Sequence, residues 1–326
     1  MQPASNPDLD VVVIGSALVE LTPELPGCSL EDAERLVPMP AGSAGNFAMA
    51  LAALGLKVGF LSRVGHDELG RWLIKHLARH GIDTDLIKPV AGQLTPVSFC
   101  WADRFGQKTF YFYRVPDFSD PMASLTPAML DEEEVLRGKL FDFTEAAIRP
   151  QPLREATLHA ATIAREAGRT VCYAVNYRPN SWSEPLGAVC QIEKQAIAMA
   201  DIVLMNQQEA CFIFQVQEAA QALSAAQSLG PTTVLITAGE APTLLAAGGQ
   251  RTTVPSFPVD VQYDVGAGDA FHAGFIAAYL RGLSAAQAAQ WGAAVAALKI
   301  AQPASAPSPS WEQVEEFIRQ AKPLGL

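Results

Sequence analysis

The sequence is poor in the features that mark a nucleic-acid binder, a membrane protein or a disulfide-stapled secreted domain. Its 326 residues hold 23 Lys or Arg against 34 Asp or Glu, a formal charge of −11 with no basic cluster. That balance leaves no electrostatic footprint for nucleic acid or an anionic membrane, so any phosphate site must be local. Only five cysteines occur, at 28, 100, 172, 190 and 211. They show neither metal-ligand pairing nor a disulfide framework, and read as buried thiols in a reducing compartment. Long apolar runs are also missing. The stretches near 47–56 and 270–280 are broken or flanked by Asn46, Lys57, Asp269, His272 and Arg281, and Val11 to Ile14 is too short for a signal-peptide core. A cytoplasmic protein is expected.

What is present is an ordinary globular content of 49% hydrophobic residues, enough for one large α/β core. Asp10 to Gly15 reads as a buried strand of a parallel sheet. Helical spacing covers 44–54, 68–79, 150–167, 185–200, 216–228, 284–301 and 311–321, and strand-like runs cover 170–176, 202–205 and 233–237. Two excursions interrupt the alternation. Residues 16–41 hold four prolines, and 96–115 reads as an aromatic hairpin turning at Asp103 to Gly106. The expected arrangement is one domain over 10–322, a three-layer α/β/α sandwich with a mostly parallel central sheet. The excursions form a small β-sheet lid, and residues 1–9 form a tail.

The sharpest chemical signal is Gly266-Ala267-Gly268-Asp269 at the start of an amphipathic helix. Bare amides and the positive end of the helix dipole favour a phosphate there. A carboxylate beside an anion site needs a task, and accepting a proton from an attacking hydroxyl is one. The same dipole is expected to depress the Asp269 pKa. Taken alone, four such residues read first as an ordinary helix start with a glycine turn.

Other turns carry similar ambiguity. Gly42 and Asn46 open a helix where a ligand could approach the backbone, while Asp67, between Gly65 and Gly70, reads as a cap. Asn206 and Glu209 follow a strand and share a helix face, suited to Mg²⁺ and phosphate or simply to capping. Asn176-Tyr177-Arg178 places a cation at the same sheet edge, for a phosphoryl group, for substrate oxygens or for a surface ion pair. Phe110 to Arg114 could cover a sugar, join a second copy or pack in the core.

Taken in order, the glycine strand, the Gly-x-x-x-Asn turn, Val-Gly-x-Asp-x-x-Gly, Asn-x-Arg, Asn-x-x-Glu and Gly-Ala-Gly-Asp resemble the ribokinase-like (PfkB) carbohydrate kinases over about 10–320. The resemblance implies an ATP- and Mg²⁺-dependent sugar kinase with Asp269 as base and Gly266, Ala267 and Gly268 as anion hole. It assigns Glu20, Gly42, Asn46, Arg114 and Arg178 to the sugar. It gives Asn206, Thr237 and Gly239 to nucleotide or phosphate, and Glu209 to Mg²⁺ through water. The tracts 111–114 and 173–182 look most like the fructokinase and 2-keto-3-deoxygluconate kinase branches. Fructose is the expected substrate, with the keto-deoxy acid or another sugar or riboside as the alternative, and a homodimer through the lid is expected.

Departures from the family pattern set limits. Tyr263-Asp264-Val265 precedes the glycine motif with its acid displaced by one residue, which touches K⁺ activation. Ala174 stands where an Asp is usual, Glu20 where another Asp is usual, and Pro242 where a glycine is usual. The loop 303–307 lacks an acid expected of many 2-keto-3-deoxygluconate kinases. These changes keep a non-catalytic sugar- or nucleotide-binding protein as the rival. A dehydrogenase is disfavoured because no Gly-x-Gly-x-x-Gly follows the first strand.

Overall fold

The first strand, Leu9–Ile14 (β1), alternates its contacts between two cores. Val11 and Val13 pack into one cluster, Val12 and Ile14 into the other, as a strand buried on both faces requires. The computed structural model describes residues 6–25, 27–102, 108–113, 120–262, 266–303 and 306–321. The remaining strands are β2 (Leu18–Pro23), β3 (Leu36–Ala41), β4 (Val58–Gly65), β5 (Ile82–Asp83), β6 (Ile87–Val90), β7 (Val97–Ala102), β8 (Lys108–Tyr113), β9 (Gly138–Thr144), β10 (Thr170–Ala174), β11 (Ile202–Asn206), β12 (Thr233–Ala238), β13 (Ala241–Ala247) and β14 (Gln250–Val254). The helices are α1 (Ser43–Ala53), α2 (Glu68–Arg79), α3 (Glu132–Leu136), α4 (Leu153–Glu166), α5 (Leu186–Met199), α6 (Gln207–Phe214), α7 (Ala219–Ser228), α8 (Ala267–Leu280), α9 (Ala285–Ile300) and α10 (Trp311–Gln320).

The main sheet runs β14-β13-β12-β11-β10-β9-β1-β4-β5, with β6 also paired to β4. It is parallel from β12 to β5, and the β13–β14 hairpin adds an antiparallel edge. Strand order reverses direction around β1, the place where open parallel sheets form a ligand crevice at their C-terminal ends. One core lies between the sheet and α1, α2, α8, α9 and α10, through Phe47, Leu73, Phe275, Val295 and Val314. The other lies against α3 to α7, through Phe141, Phe143, Ala160, Ile197 and Leu223. A separate sheet, β3-β2-β7-β8, stands apart, with β7 and β8 antiparallel.

Several boundaries differ from the sequence reading. β10 stops at Ala174, because Asn176 turns left-handed at φ 44°. The helix expected from 216 begins later: α6 ends at Phe214 with Gln215 left-handed at φ 55°, and α7 starts at Ala219. β9 and the β13–β14 hairpin carry no clear strand pattern in the sequence, yet β9 is central. Of the thiols, Cys100, Cys172 and Cys190 are buried while Cys28 and Cys211 are half-buried, so burial is not general. Among the described residues no helix is long and apolar enough to cross a membrane.

Candidate active site

Helix α8 begins at Gly266, whose φ of 84° is open to glycine and strained for any residue with a Cβ. A Cβ added at Gly266 or Gly268 would meet nothing within 4 Å among the described residues. The first intrahelical bond is Ala270 N–H to the Gly266 carbonyl, at 2.9 Å. The amides of Ala267, Gly268 and Asp269 therefore lie before the hydrogen-bond ladder, and no side chain of the described residues caps them. The helix is fixed from behind: Cβ atoms at Gly274 and Gly292 would collide with the facing backbone of α9 and α8, so the two helices cross in close contact.

Asp269 uses one oxygen for the protein and leaves the other uncommitted. Its Oδ1 accepts from Ser43 Oγ at 2.9 Å and from Asn176 Nδ2 at 3.3 Å, and Asn176 Nδ2 also donates to Ser43 Oγ at 2.5 Å. No hydrogen bond reaches Oδ2 among the described residues. Three distant segments thus converge: the start of α1, the turn after β10 and the start of α8. Asn176 makes its bonds from a left-handed conformation that asparagine tolerates better than most residues, and such strain is common where a side chain must be aimed.

The expected depression of the Asp269 pKa is reversed. Burial dominates and raises it from 3.8 to about 6; the Ser43 hydrogen bond and the nearby His272 and Arg178 oppose the rise, while Asp142 adds to it. The side chain keeps some surface open to the crevice but is otherwise enclosed by protein, and this desolvation outweighs the helix terminus. A raised value suits a group that must accept a proton near neutrality.

Asn206 and Glu209 form a reciprocal cap at the start of α6. Asn206 Oδ1 accepts from Glu209 N–H at 2.8 Å, and Glu209 Oε2 accepts from Asn206 N–H at 2.7 Å. The other oxygen, Oε1, accepts from Tyr177 N–H at 3.0 Å. Glu209 is buried and thereby ties α6 to the loop that carries Asn176. Burial raises its pKa, opposed by those two amides. Asn206 lies beside Thr237 in the parallel register of β11 and β12, and the left-handed Gly239 follows at the exposed turn.

The other residues of interest occupy the same rim or the small sheet. Gly42, φ 101°, begins α1, where a Cβ would lie 2.8 Å from the Ser16 carbonyl oxygen; its own carbonyl accepts from Asn46 N–H at 2.7 Å. Arg178 is exposed and acts favourably on both Asp269 and Glu209. Glu20 lies on β2, opposite Ser98 of β7, its pKa raised by burial and lowered in part by Ser98. Arg114 and the 263–265 tract lie outside the described residues. Ser43 and Asn176 were visible only as members of motifs; no spacing in the sequence joins them to Asp269.

The sequence pattern of the pfkB family carbohydrate kinases matches residues 8–312, and the chain belongs to that family. It is a sugar kinase, a phosphotransferase with an alcohol group as acceptor. The chain is 30% identical over 266 residues to a fructokinase of Klebsiella pneumoniae, covering 81% of this chain and 82% of that one. It is 27% identical over 321 residues to a 5-dehydro-2-deoxygluconokinase of Geobacillus kaustophilus, covering 96% and 94%. Its fold is ribokinase-like: a solved Ribokinase II from E. coli, in complex with ATP and Mg²⁺, superposes with a TM-score of 0.84 at 22% identity, covering 96% of this chain and 99% of that one.

Proposed function

We propose that the chain phosphorylates fructose from MgATP, with Asp269 as the base. The observation that carries this reading is the uncommitted Oδ2 of Asp269 beside three amides outside the helix ladder. A sugar hydroxymethyl group held at Oδ2 gives up its proton there, while the amides of Ala267 and Gly268, with the Gly266 turn, receive the charge of the transferring phosphoryl group. Ser43 and Asn176 hold the carboxylate in line. Gly42, Asn46, Glu20, Arg114 and Arg178 are the proposed sugar contacts, and Asn206, Thr237 and Gly239 the proposed nucleotide contacts.

The donor set suits Mg²⁺ only at one remove. Both Glu209 oxygens already accept backbone amides, so Glu209 reaches the ion through its water shell, which Mg²⁺ gives up reluctantly. When bound, the ion neutralises phosphate charge. The displaced acid of the 263–265 tract argues against K⁺ dependence. The proposed organisation is one domain over 10–322 with a lid from 16–41 and 96–115 that excludes water from the transfer. Self-association through the exposed Phe110 to Tyr113 strand edge follows from the same lid. Localisation in the cytoplasm fits the absence of disulfides among the described cysteines.

A keto-deoxy sugar acid is the second reading. Arg178, an exposed cation at the rim, suits a carboxylate, and the Geobacillus relative aligns with more of the chain than the Klebsiella one. A coupled ADP-release assay with fructose, 2-keto-3-deoxygluconate, 5-dehydro-2-deoxygluconate and ribosides, with and without Mg²⁺, separates them. Fructose is expected to give the highest kcat/KM, with turnover only when Mg²⁺ is present. Preference for either acid sugar overturns the fructose assignment, and ADP release indifferent to every sugar overturns the whole reading.

A further inference from the structure

Asp142 of β9, Cys172 of β10 and His272 of α8 meet inside the core between the sheet and α8, with 0%, 0% and 2% of their surfaces exposed. Cys172 is the direct register partner of Asp142 across the two parallel strands. His272 stands one helical turn after Asp269, its imidazole stacked on Phe47 with centroids 3.9 Å apart. Its Nε2 lies 2.8 Å from Asp142 Oδ2 and 3.3 Å from Cys172 Sγ, and the three ligand atoms all lie within 4.8 Å of one another.

Hydrogen bonding accounts for only part of this convergence. One ring nitrogen carries at most one proton, yet it faces both a carboxylate and a sulfur. Despite the 2.8 Å approach of His272 Nε2, neither Asp142 oxygen has a well-formed hydrogen bond among the described residues. A fully buried carboxylate without directed donors is strongly disfavoured unless a positive charge meets it.

We propose that Asp142, Cys172 and His272 form a binding site for one divalent ion of the zinc and cobalt type, which pins the catalytic helix to the central sheet. A thiolate and a carboxylate cancel the charge of such an ion, and a neutral imidazole is the third protein ligand, so the assembly enters the apolar core without net charge. Sulfur and imidazole ligands select this class of metal over Mg²⁺. Tetrahedral ligation sets neighbouring donors about 3.3 to 3.6 Å apart, so binding moves His272 Nε2 and Asp142 Oδ2 apart by about half an ångström. The cysteine positions in sequence gave no hint of the site, because a single thiol supplies it and the strand register brings the acid alongside.

The test is to refold the full-length chain with one equivalent of Co²⁺ and record its absorption, then repeat it with Cys172→Ser, Asp142→Asn and, as a control on a half-buried thiol, Cys211→Ser. The expected result is a thiolate-to-cobalt charge-transfer band in wild type and Cys211→Ser, lost in Cys172→Ser and weakened at least tenfold in affinity in Asp142→Asn. Chain expressed with added Zn²⁺ should retain one ion after dialysis and melt several degrees lower once chelated. Wild type that shows no charge-transfer band and retains no Zn²⁺, or a band that persists in Cys172→Ser, overturns the proposal; neither result bears on sugar phosphorylation.

Discussion

Two turns use nearly the same residues to opposite ends. At the start of α2, Asp67 follows Gly65 and precedes Gly70; at the start of α8, Asp269 follows Gly266 and Gly268. Asp67 commits both oxygens to the protein. Its Oδ1 accepts from Gly70 N–H and Thr95 Oγ1, each at 2.7 Å, and its Oδ2 from Thr95 N–H at 2.7 Å. Burial alone would raise its pKa, but these donors outweigh burial and hold it below the ordinary value. Among the described residues Asp269 accepts only at Oδ1, and its pKa rises to about 6. One acid is a lock between α2 and the loop leading into the small sheet, the other the proposed reagent. The number of lone pairs left over, more than the residue type or its place on a helix, separates the two roles.

The largest effect should come from exchanging the proposed reagent. Asp269→Asn is expected to lower kcat by about 10²- to 10⁴-fold, with nucleotide affinity nearly intact by calorimetry. Its thermal stability at pH 7.5 should hold or rise, and the sign follows from linkage. The folded chain keeps this proton up to about pH 6 whereas an unperturbed Asp releases it near 3.8, so stability falls as pH rises between those values. The amide variant has no such loss. The lock should respond in the other sense: Asp67→Ala removes three hydrogen bonds and a helix cap, which amounts to about 2 kcal/mol in chemical denaturation, while kcat changes much less than in Asp269→Asn.

A smaller effect sharpens the contrast from inside the active site. Ser43 Oγ is the closest donor to Asp269, so Ser43→Ala should push the base further up and move the acid limb of kcat/KM to higher pH, with kcat reduced about tenfold, the scale of one hydrogen bond to a charged group. The smallest effect belongs to the exposed strand β8. Phe110 and Phe112 are 44% and 51% exposed, and replacing both with Ser should leave stability within about 0.5 kcal/mol at each site while shifting sedimentation toward monomer.

The legibility of this molecule follows the same line. Helix starts with Gly, Asp, Asn or Ser were readable because capping chemistry is local: Asp67 and the Asn206–Glu209 pair take the caps their spacing allows. Core strands such as β1 and β12 were readable from unbroken apolar runs. The central strand β9 was not, because Lys139 and Asp142 interrupt its pattern; Lys139 pairs with Asp10 at the strand's N-terminal end, and Asp142 faces His272 in the core. The β13–β14 hairpin was not either, because Pro242, Ala246 and Ala247 break any apolar alternation in β13 and β14 is mostly exposed; its pairing to β12 supplies what the pattern does not. In the active site the motif carrying Asp269 was plain, but its partners Ser43 and Asn176 lie 226 and 93 residues away in sequence. Its pKa was misjudged for a related reason: the helix dipole is visible in sequence, whereas the burial that overrides it is made by the fold.

The most direct test of the contrast is the pH dependence of kcat/KM for the sugar at saturating MgATP, measured for wild type, Ser43→Ala and Asp67→Asn. A single acid limb with an apparent pKa of about 6, displaced upward in Ser43→Ala and unmoved in Asp67→Asn, is the predicted result. Activity that stays level until pH falls to about 4, the range of an unperturbed carboxylate, would contradict Asp269 as a buried base with one oxygen left for the substrate.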